Sequence, residues 1–332
     1  MLRVAISGFG RIGRCLVWAI HERGLENQIQ VVAINDLVEP RVLSHLLRHD
    51  TTHGHFRTPV ALEGDRLSVG NQNIVCLSEK DPAQLPWNDL GVDVVLECTG
   101  KMKKRELLSA HLDAGARRVL VSYPVPDADR TVVYGINHDQ LTGDDRIVSN
   151  ASCTTNCLAP VAKVLDDAFG VEQAQITTIH AYTNDQNLID KAHSDLYRAR
   201  AAASNLIPTK TGAADSVGLV LPRLAGKLDG MAVRVPTINV SMVDLHAILK
   251  HEVSVEDINS AMKKASDGAL RNVLGYTDEP LVSVDFNHSP LSAVYDAGQT
   301  RVLGTQVKVL AWYDNEWGFT NRMLDVARLM ED

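Results

Sequence analysis

Residues 8–13 read Gly-Phe-Gly-Arg-Ile-Gly, and their flanks narrow the fold more than any other stretch. The string follows the apolar run RVAIS directly and opens RCLVWAIHERG, whose apolar residues recur at helical spacing. Glycines at the end of a strand permit a tight turn and let the backbone approach a pyrophosphate at a helix N-terminus. The next strand, IQVVAIND, ends in Asp36, about twenty residues further on. A carboxylate there can bind both ribose hydroxyls and repel a 2′-phosphate. Gly8, Phe9, Gly10, Arg11, Ile12, Gly13 and Asp36 are therefore read as a cofactor site preferring NAD to NADP.

The rhythm continues. PRVLSHLLRHD, VDVVLECTG, KKRELLSAHLDAG, RRVLVSYP and DRIVSNAS alternate helix and strand, and the strands are unbroken Val/Ile/Leu runs. That pattern predicts an α/β Rossmann-type doubly wound parallel sheet, covered on both faces. Residues 57–77, with Gly-Asp and Gly-Asn turns, read as an inserted pair of antiparallel hairpins. After residue 170 the segments AQITTIHAY, MAVRVPTINVSMVDLHAILK, PLVSVDF and TQVKVLAWYD read as long strands with few helices between. An α+β catalytic domain with a mostly antiparallel sheet is expected over 151–314. The NAD-binding domain covers 1–150 together with the closing helix 315–332, which reads as amphipathic.

Composition excludes several roles. A formal net charge of −8 gives no basis for non-specific nucleic-acid binding. No charged start leads into an apolar stretch and no run of 18 apolar residues occurs, so neither export nor membrane spanning is expected. The five cysteines are odd in number and scattered, which points to reduced thiols and a cytoplasmic chain.

Two of those cysteines, Cys153 and Cys157, lie in Ala-Ser-Cys-Thr-Thr-Asn-Cys at the start of an expected helix. No further ligands stand at metal-site spacing, so no metal is expected. A disulfide within one helical turn fits the required geometry poorly. Cys157 reads as a buried, inert residue. Cys153 sits at the helix N-terminus, where unpaired N–H groups favour a thiolate and could steady an oxyanion, so it is the candidate nucleophile. His180, where ITTIH leaves regular structure, is one candidate base among twelve histidines; His53 and His55, beside the hairpins, read as solvent-facing.

These motifs closely resemble phosphorylating glyceraldehyde-3-phosphate dehydrogenases. The likeness runs through Ile179–Gln186, Pro208–Ala214, Arg234–Thr237 and Trp312–Glu316, over essentially the whole chain. It implies that Cys153 attacks the aldehyde of glyceraldehyde 3-phosphate to give a thiohemiacetal. His180 takes the thiol proton, hydride passes to the nicotinamide, and inorganic phosphate attacks the resulting thioester. It further implies that Thr183, Asp185 and Arg234 form the substrate-phosphate site. Ser152, Thr154, Arg198, Thr211 and Gly212 would bind the attacking phosphate. Ser122 would lie beside the cofactor, Asn315 would hold the carboxamide, and the chain would be a homotetramer. A sister family, the erythrose-4-phosphate dehydrogenases, shares nucleophile and base but tends to lose the phosphate residues that are intact here. A non-enzymatic role in RNA or protein binding is a third, weaker reading. The departures Ser7, Met102, Tyr123, Phe319 and Lys191-Ala192 fall around the cofactor and leave room for some NADP use.

Overall fold

The computed structural model describes residues 1–331; Asp332, the end of the expected closing helix, lies outside them. The chain divides into two compact units. One comprises Met1–Val132, His138–Ala151 and the segment from Thr320 onward, the other Val133–Asn137 and Ser152–Phe319.

The first unit is built on a nine-stranded sheet. The strand order is Arg130–Thr131, Ile147–Ser149, Arg118–Val121, Val94–Glu97, Leu2–Ser7, Ile29–Asn35, Gln72–Leu77, Arg66–Val69 and Val60–Glu63. Pairing is parallel from Arg130–Thr131 through Gln72–Leu77. The last two strands join antiparallel, as the hairpins expected from the Gly64 and Gly70 turns. Val94–Glu97 and Arg118–Val121 are buried along their whole length. This is why their sequences do not alternate: both faces of a parallel sheet are covered. Leu2–Ser7 has the next strand in sequence on one side and Val94–Glu97 on the other. The strand order therefore reverses at its C-terminal end, where Gly8 begins, and open α/β sheets bind ligands at such a crevice.

The second unit carries seven strands. They run in the order Ile207–Lys210, Leu228–Val235, Val171–Ala181, Ser241–Leu249, Gln306–Tyr313, Ala293–Leu303 and Leu274–Thr277. Four of the pairings are antiparallel and two parallel. Helices Cys153–Phe169, Ala213–Val220 and Val255–Asp267 pack against this unit. Burial alternates along Ser241–Leu249 and Gln306–Tyr313, as period-2 side chains require when one face is better covered than the other. The run MAVRVPTINVSMVDLHAILK contributes to two strands, broken at Pro236, which has no N–H for a ladder.

Two expectations are corrected here. PLVSVDF is not a strand: Ser283–Phe286 forms a short 3₁₀ turn, and the Asp285 carboxylate accepts the Val282 N–H at 2.8 Å. Local capping wins over the apolar alternation. The closing helix, Trp317–Leu329, is not amphipathic; Thr320, Asn321, Arg322 and Asp325 are buried with Met323, Leu324 and Val326. Arg23 and Arg322 reach Asp325 at 2.6 and 2.7 Å, charge-assisted bonds that offset the desolvation of these groups. No described helix is long and apolar enough to cross a membrane.

Candidate active site

All five cysteines are free thiols. Ala151, at φ +56°, turns the chain into the helix that Cys153 opens, a left-handed conformation that costs a residue with a Cβ about 1–3 kcal/mol. Ser152 caps that helix by accepting the Thr155 N–H at 3.0 Å. Cys157, one turn in, is fully buried with its thiol toward the Ala311 carbonyl, and burial pushes that thiol well up. Cys153 is only half-buried.

The Cys153 Sγ lies 3.5 Å from His180 Nε2. His180 sits near the end of strand Val171–Ala181, and the parallel register sets it directly beside Arg234 on Leu228–Val235. Its Nδ1 is 2.6 Å from the Ala181 carbonyl, which can only accept; in the tautomer that donates to this carbonyl, Nε2 faces the thiol with a lone pair. Arg234 Nη1 donates to the same carbonyl at 2.9 Å and lies 2.8 Å from Nδ1. Burial and this guanidinium push the imidazole down to about 3. Burial also pushes the Cys153 thiol up, against the pull of Arg234 and of hydrogen bonds from Thr154. The thiolate expected from the helix terminus is thus opposed by desolvation, and in the site as it stands the proton rests on sulfur.

Tyr313 closes the back of this site. Its hydroxyl bonds Thr154 Oγ1 at 2.9 Å and Thr178 Oγ1 at 2.8 Å, and its ring stands edge-on to His180 at 5.9 Å. Sequence reading assigned Tyr313 and Thr178 no role. The available signal was a tyrosine at a core-facing position of an alternating strand, since a buried tyrosine hydroxyl needs a partner.

Arg198 is fixed from several sides. It pairs with Asp185, donates to Thr209 Oγ1 at 2.9 Å and to the Lys210 carbonyl at 3.3 Å, and lies 3.7 Å from Asp195. Its charge bears on both His180 and Arg234, which ties the loop to the thiol site. Thr211 and Gly212 directly follow Lys210. A Cβ at Gly212 would meet nothing within 4 Å, so the helix start there is open to a ligand. Thr183 N–H is held by Gln186 Oε1 at 2.8 Å.

Three of the residues to which the resemblance gives phosphate roles make bonds within the protein. Asp185 pairs with Arg198, whose guanidinium holds its carboxyl below the usual range. Ser152 spends its hydroxyl on the cap and on Thr155 Oγ1 at 2.7 Å. Thr154 directs its own inward to Tyr313. What the helix start has to offer an anion is its backbone N–H groups. Asn315 is buried, with Oδ1 accepting from Ser241 Oγ at 2.8 Å, which makes the Nδ2 amine the group it can present.

In the first unit the three glycines have different reasons. A Cβ at Gly8 would lie 2.8 Å from Thr99 N and one at Gly13 2.3 Å from the Gly8 carbonyl, whereas one at Gly10 meets nothing within 4 Å. Gly8 and Gly13 serve close packing; Gly10 faces the open space a pyrophosphate requires. Asp36 Oδ2 accepts the Phe9 N–H at 2.8 Å and Oδ1 the Val38 N–H at 3.1 Å, which holds the carboxylate beside the loop. Arg11 pairs with Asp50, and its side chain is thereby occupied. Ser122 follows the buried strand Arg118–Val121 and is half-buried, with its hydroxyl toward Cys98. The loop and Asp36 thus fit a nicotinamide dinucleotide.

A dinucleotide-binding sheet and a separate sheet bearing a thiol–imidazole–arginine cluster fit the class of nicotinamide-dependent oxidoreductases. The chain belongs to the glyceraldehyde-3-phosphate dehydrogenase family. Residues 2–105 match the model of that family's NAD binding domain and residues 152–315 that of its C-terminal domain. The chain is 56% identical to a glyceraldehyde-3-phosphate dehydrogenase of Pseudomonas aeruginosa, over 98% of this chain and 97% of the other. It is 56% identical to one of Xanthobacter flavus, over 99% and 98%. Identity to glyceraldehyde-3-phosphate dehydrogenase 1 of Bacillus cereus is 51%, over 99% and 98%.

Proposed function

We propose that the chain oxidises glyceraldehyde 3-phosphate to 1,3-bisphosphoglycerate, using NAD and inorganic phosphate. The observation that carries this is Cys153 Sγ at 3.5 Å from His180 Nε2, with Arg234 held against the imidazole. Arg234 attracts the substrate phosphate. Neutralising its charge removes one of the three causes that keep His180 unprotonated, burial and the Arg198 charge being the others, so anion binding itself prepares His180 to take the thiol proton. The sulfur attacks the aldehyde carbon, and the helix N–H groups steady the resulting oxyanion. NAD, when bound, accepts the hydride from that carbon. The proton held by His180 passes to that oxygen in the thiohemiacetal and returns to His180 as the thioester forms. Arg198, aimed by Asp185, draws inorganic phosphate toward the thioester, with Thr211 and Gly212 at its side. Phosphate oxygen attacks, and Cys153 leaves as thiolate with the acyl phosphate as product.

Initial rates test this directly. Glyceraldehyde 3-phosphate should outperform erythrose 4-phosphate in kcat/KM, and turnover should require inorganic phosphate. NAD should outperform NADP, with the gap narrowing in Asp36→Ala as the carboxylate's repulsion of a 2′-phosphate goes. Lys191, exposed in its loop, offsets that repulsion only weakly, since exposed ion pairs are worth about 0–1 kcal/mol. Preference for the tetrose phosphate would overturn the substrate assignment.

The same reading makes the protein a cytoplasmic homotetramer. Leu188, Ile189, Leu196 and Leu206 in the loop after Thr183 are 70–83% exposed, an apolar patch that a neighbouring subunit would cover. Light scattering at micromolar concentration should report four chains per particle, and a monomer would refute the assembly.

A further inference from the structure

The segment from Cys98 to Lys103, after the central strand Val94–Glu97, has no regular secondary structure, so its backbone groups must find partners elsewhere. The Cys98 N–H donates to the Ser7 carbonyl at 2.7 Å, and those of Thr99, Lys101 and Met102 find side chains. Glu97, fully buried at the strand's C-terminal end, accepts the Thr99 N–H at 2.7 Å and the Thr99 hydroxyl on Oε1. Thr99 Oγ1 in turn accepts the Lys101 N–H at 3.2 Å. The Tyr123 hydroxyl lies 3.2 Å from Glu97 Oε1 and from both the N–H and the carbonyl of Met102.

The other carboxylate oxygen is anchored in the core. Trp87 Nε1 can only donate, and it donates to His111 Nδ1 at 3.0 Å. His111 Nε2 therefore carries the proton and offers it to Glu97 Oε2 at 3.3 Å. Both Trp87 and His111 are fully buried. At the far end, the Thr99 backbone lies so close to Gly8 that a Cβ on that glycine would be 2.8 Å from Thr99 N. One continuous chain of hydrogen bonds thus runs from the core of the sheet to the wall of the glycine loop.

We propose that Glu97 and Tyr123 are positioning residues for the dinucleotide: they hold Thr99–Met102 against Gly8 and thereby set how tightly the chain binds NAD. The inference rests on the NAD-dependent reading above and adds which side chains shape that site. Neither residue takes part in the chemistry at Cys153, so their removal acts on cofactor affinity and not on turnover once the cofactor is saturating.

The test measures dissociation constants for NAD and for ADP-ribose, which lacks the nicotinamide, by calorimetry on the full-length protein, beside steady-state kinetics. Tyr123→Phe keeps the ring and removes only the hydroxyl. It should raise both dissociation constants and the KM for NAD about 2–10-fold, the net effect of one hydrogen bond, with kcat unchanged. Glu97→Gln should raise them further, because its amide presents donors where donors already point. Should Glu97→Gln fail to fold, Tyr123→Phe decides alone. Unchanged affinity in Tyr123→Phe, or a fall in kcat at intact NAD affinity, would overturn the proposal. A wild-type chain that binds no NAD at all would instead remove the NAD-dependent reading on which it rests.

Discussion

Cys153→Ser should abolish phosphorylating oxidation while Cys157→Ser should keep most of it. A serine hydroxyl beside an imidazole as hard to protonate as His180 yields almost no alkoxide at neutral pH. Loss of a covalent nucleophile costs on the order of 10⁶-fold in kcat. Cys157 lies one helical turn away, but it is sealed from solvent and turned to a backbone carbonyl. Serine there exchanges one small buried group for another and loses only packing and a weak S–H contact. Alkylation gives the same answer without mutation. Iodoacetamide should modify Cys153 first, because Cys15, Cys76 and Cys157 are buried and burial pushes the Cys98 thiol further up. Mass spectrometry showing Cys76 or Cys98 modified ahead of Cys153 would sink the assignment of the nucleophile.

His180→Asn should slow turnover about 10²–10⁴-fold, the range of a positioned general base, with NAD binding intact. Without an acceptor the proton stays on sulfur to higher pH, so the alkylation profile should move in the alkaline direction. Stability offers a second readout. In the folded chain the imidazole titrates only near 3, against 6.5 when exposed, so between those values the unfolded chain binds the extra proton. Wild-type protein should therefore lose stability as pH falls below about 6.5, and the asparagine variant should show a flatter curve across that window. An unchanged pH–rate profile in the variant would remove His180 from the mechanism.

Whatever depends on neighbours in sequence was legible from sequence. Gly13 is constrained by the nearby Gly8 carbonyl, Gly8 by the positive φ of its turn, and Cys153 by the helix it opens. The pairing of His180 with Arg234 was not legible as geometry, because 54 positions separate them and only strand register brings them together. Asp185 shows the same limit: its type suggests a place in the site, but only the position of Arg198 shows that it aims a cation. PLVSVDF alternates like a strand until Asp285 folds back on Val282. The closing helix misled for a different reason, since its polar residues are paired inside the fold and not solvated.

The cross-strand register of His180 and Arg234 also bears on how such a protein can change over evolutionary time. The proton acceptor and the anion-attracting cation ride on adjacent strands in the sheet interior, where moving one without the other would disrupt the ladder. The residues that aim Arg198, and those offered to a second phosphate, lie instead on the connection from Thr183 to Gly212. Mutation in that connection can therefore alter how Arg198 is held without disturbing the His180–Arg234 register. Variation in this lineage should accumulate first between Thr183 and Gly212.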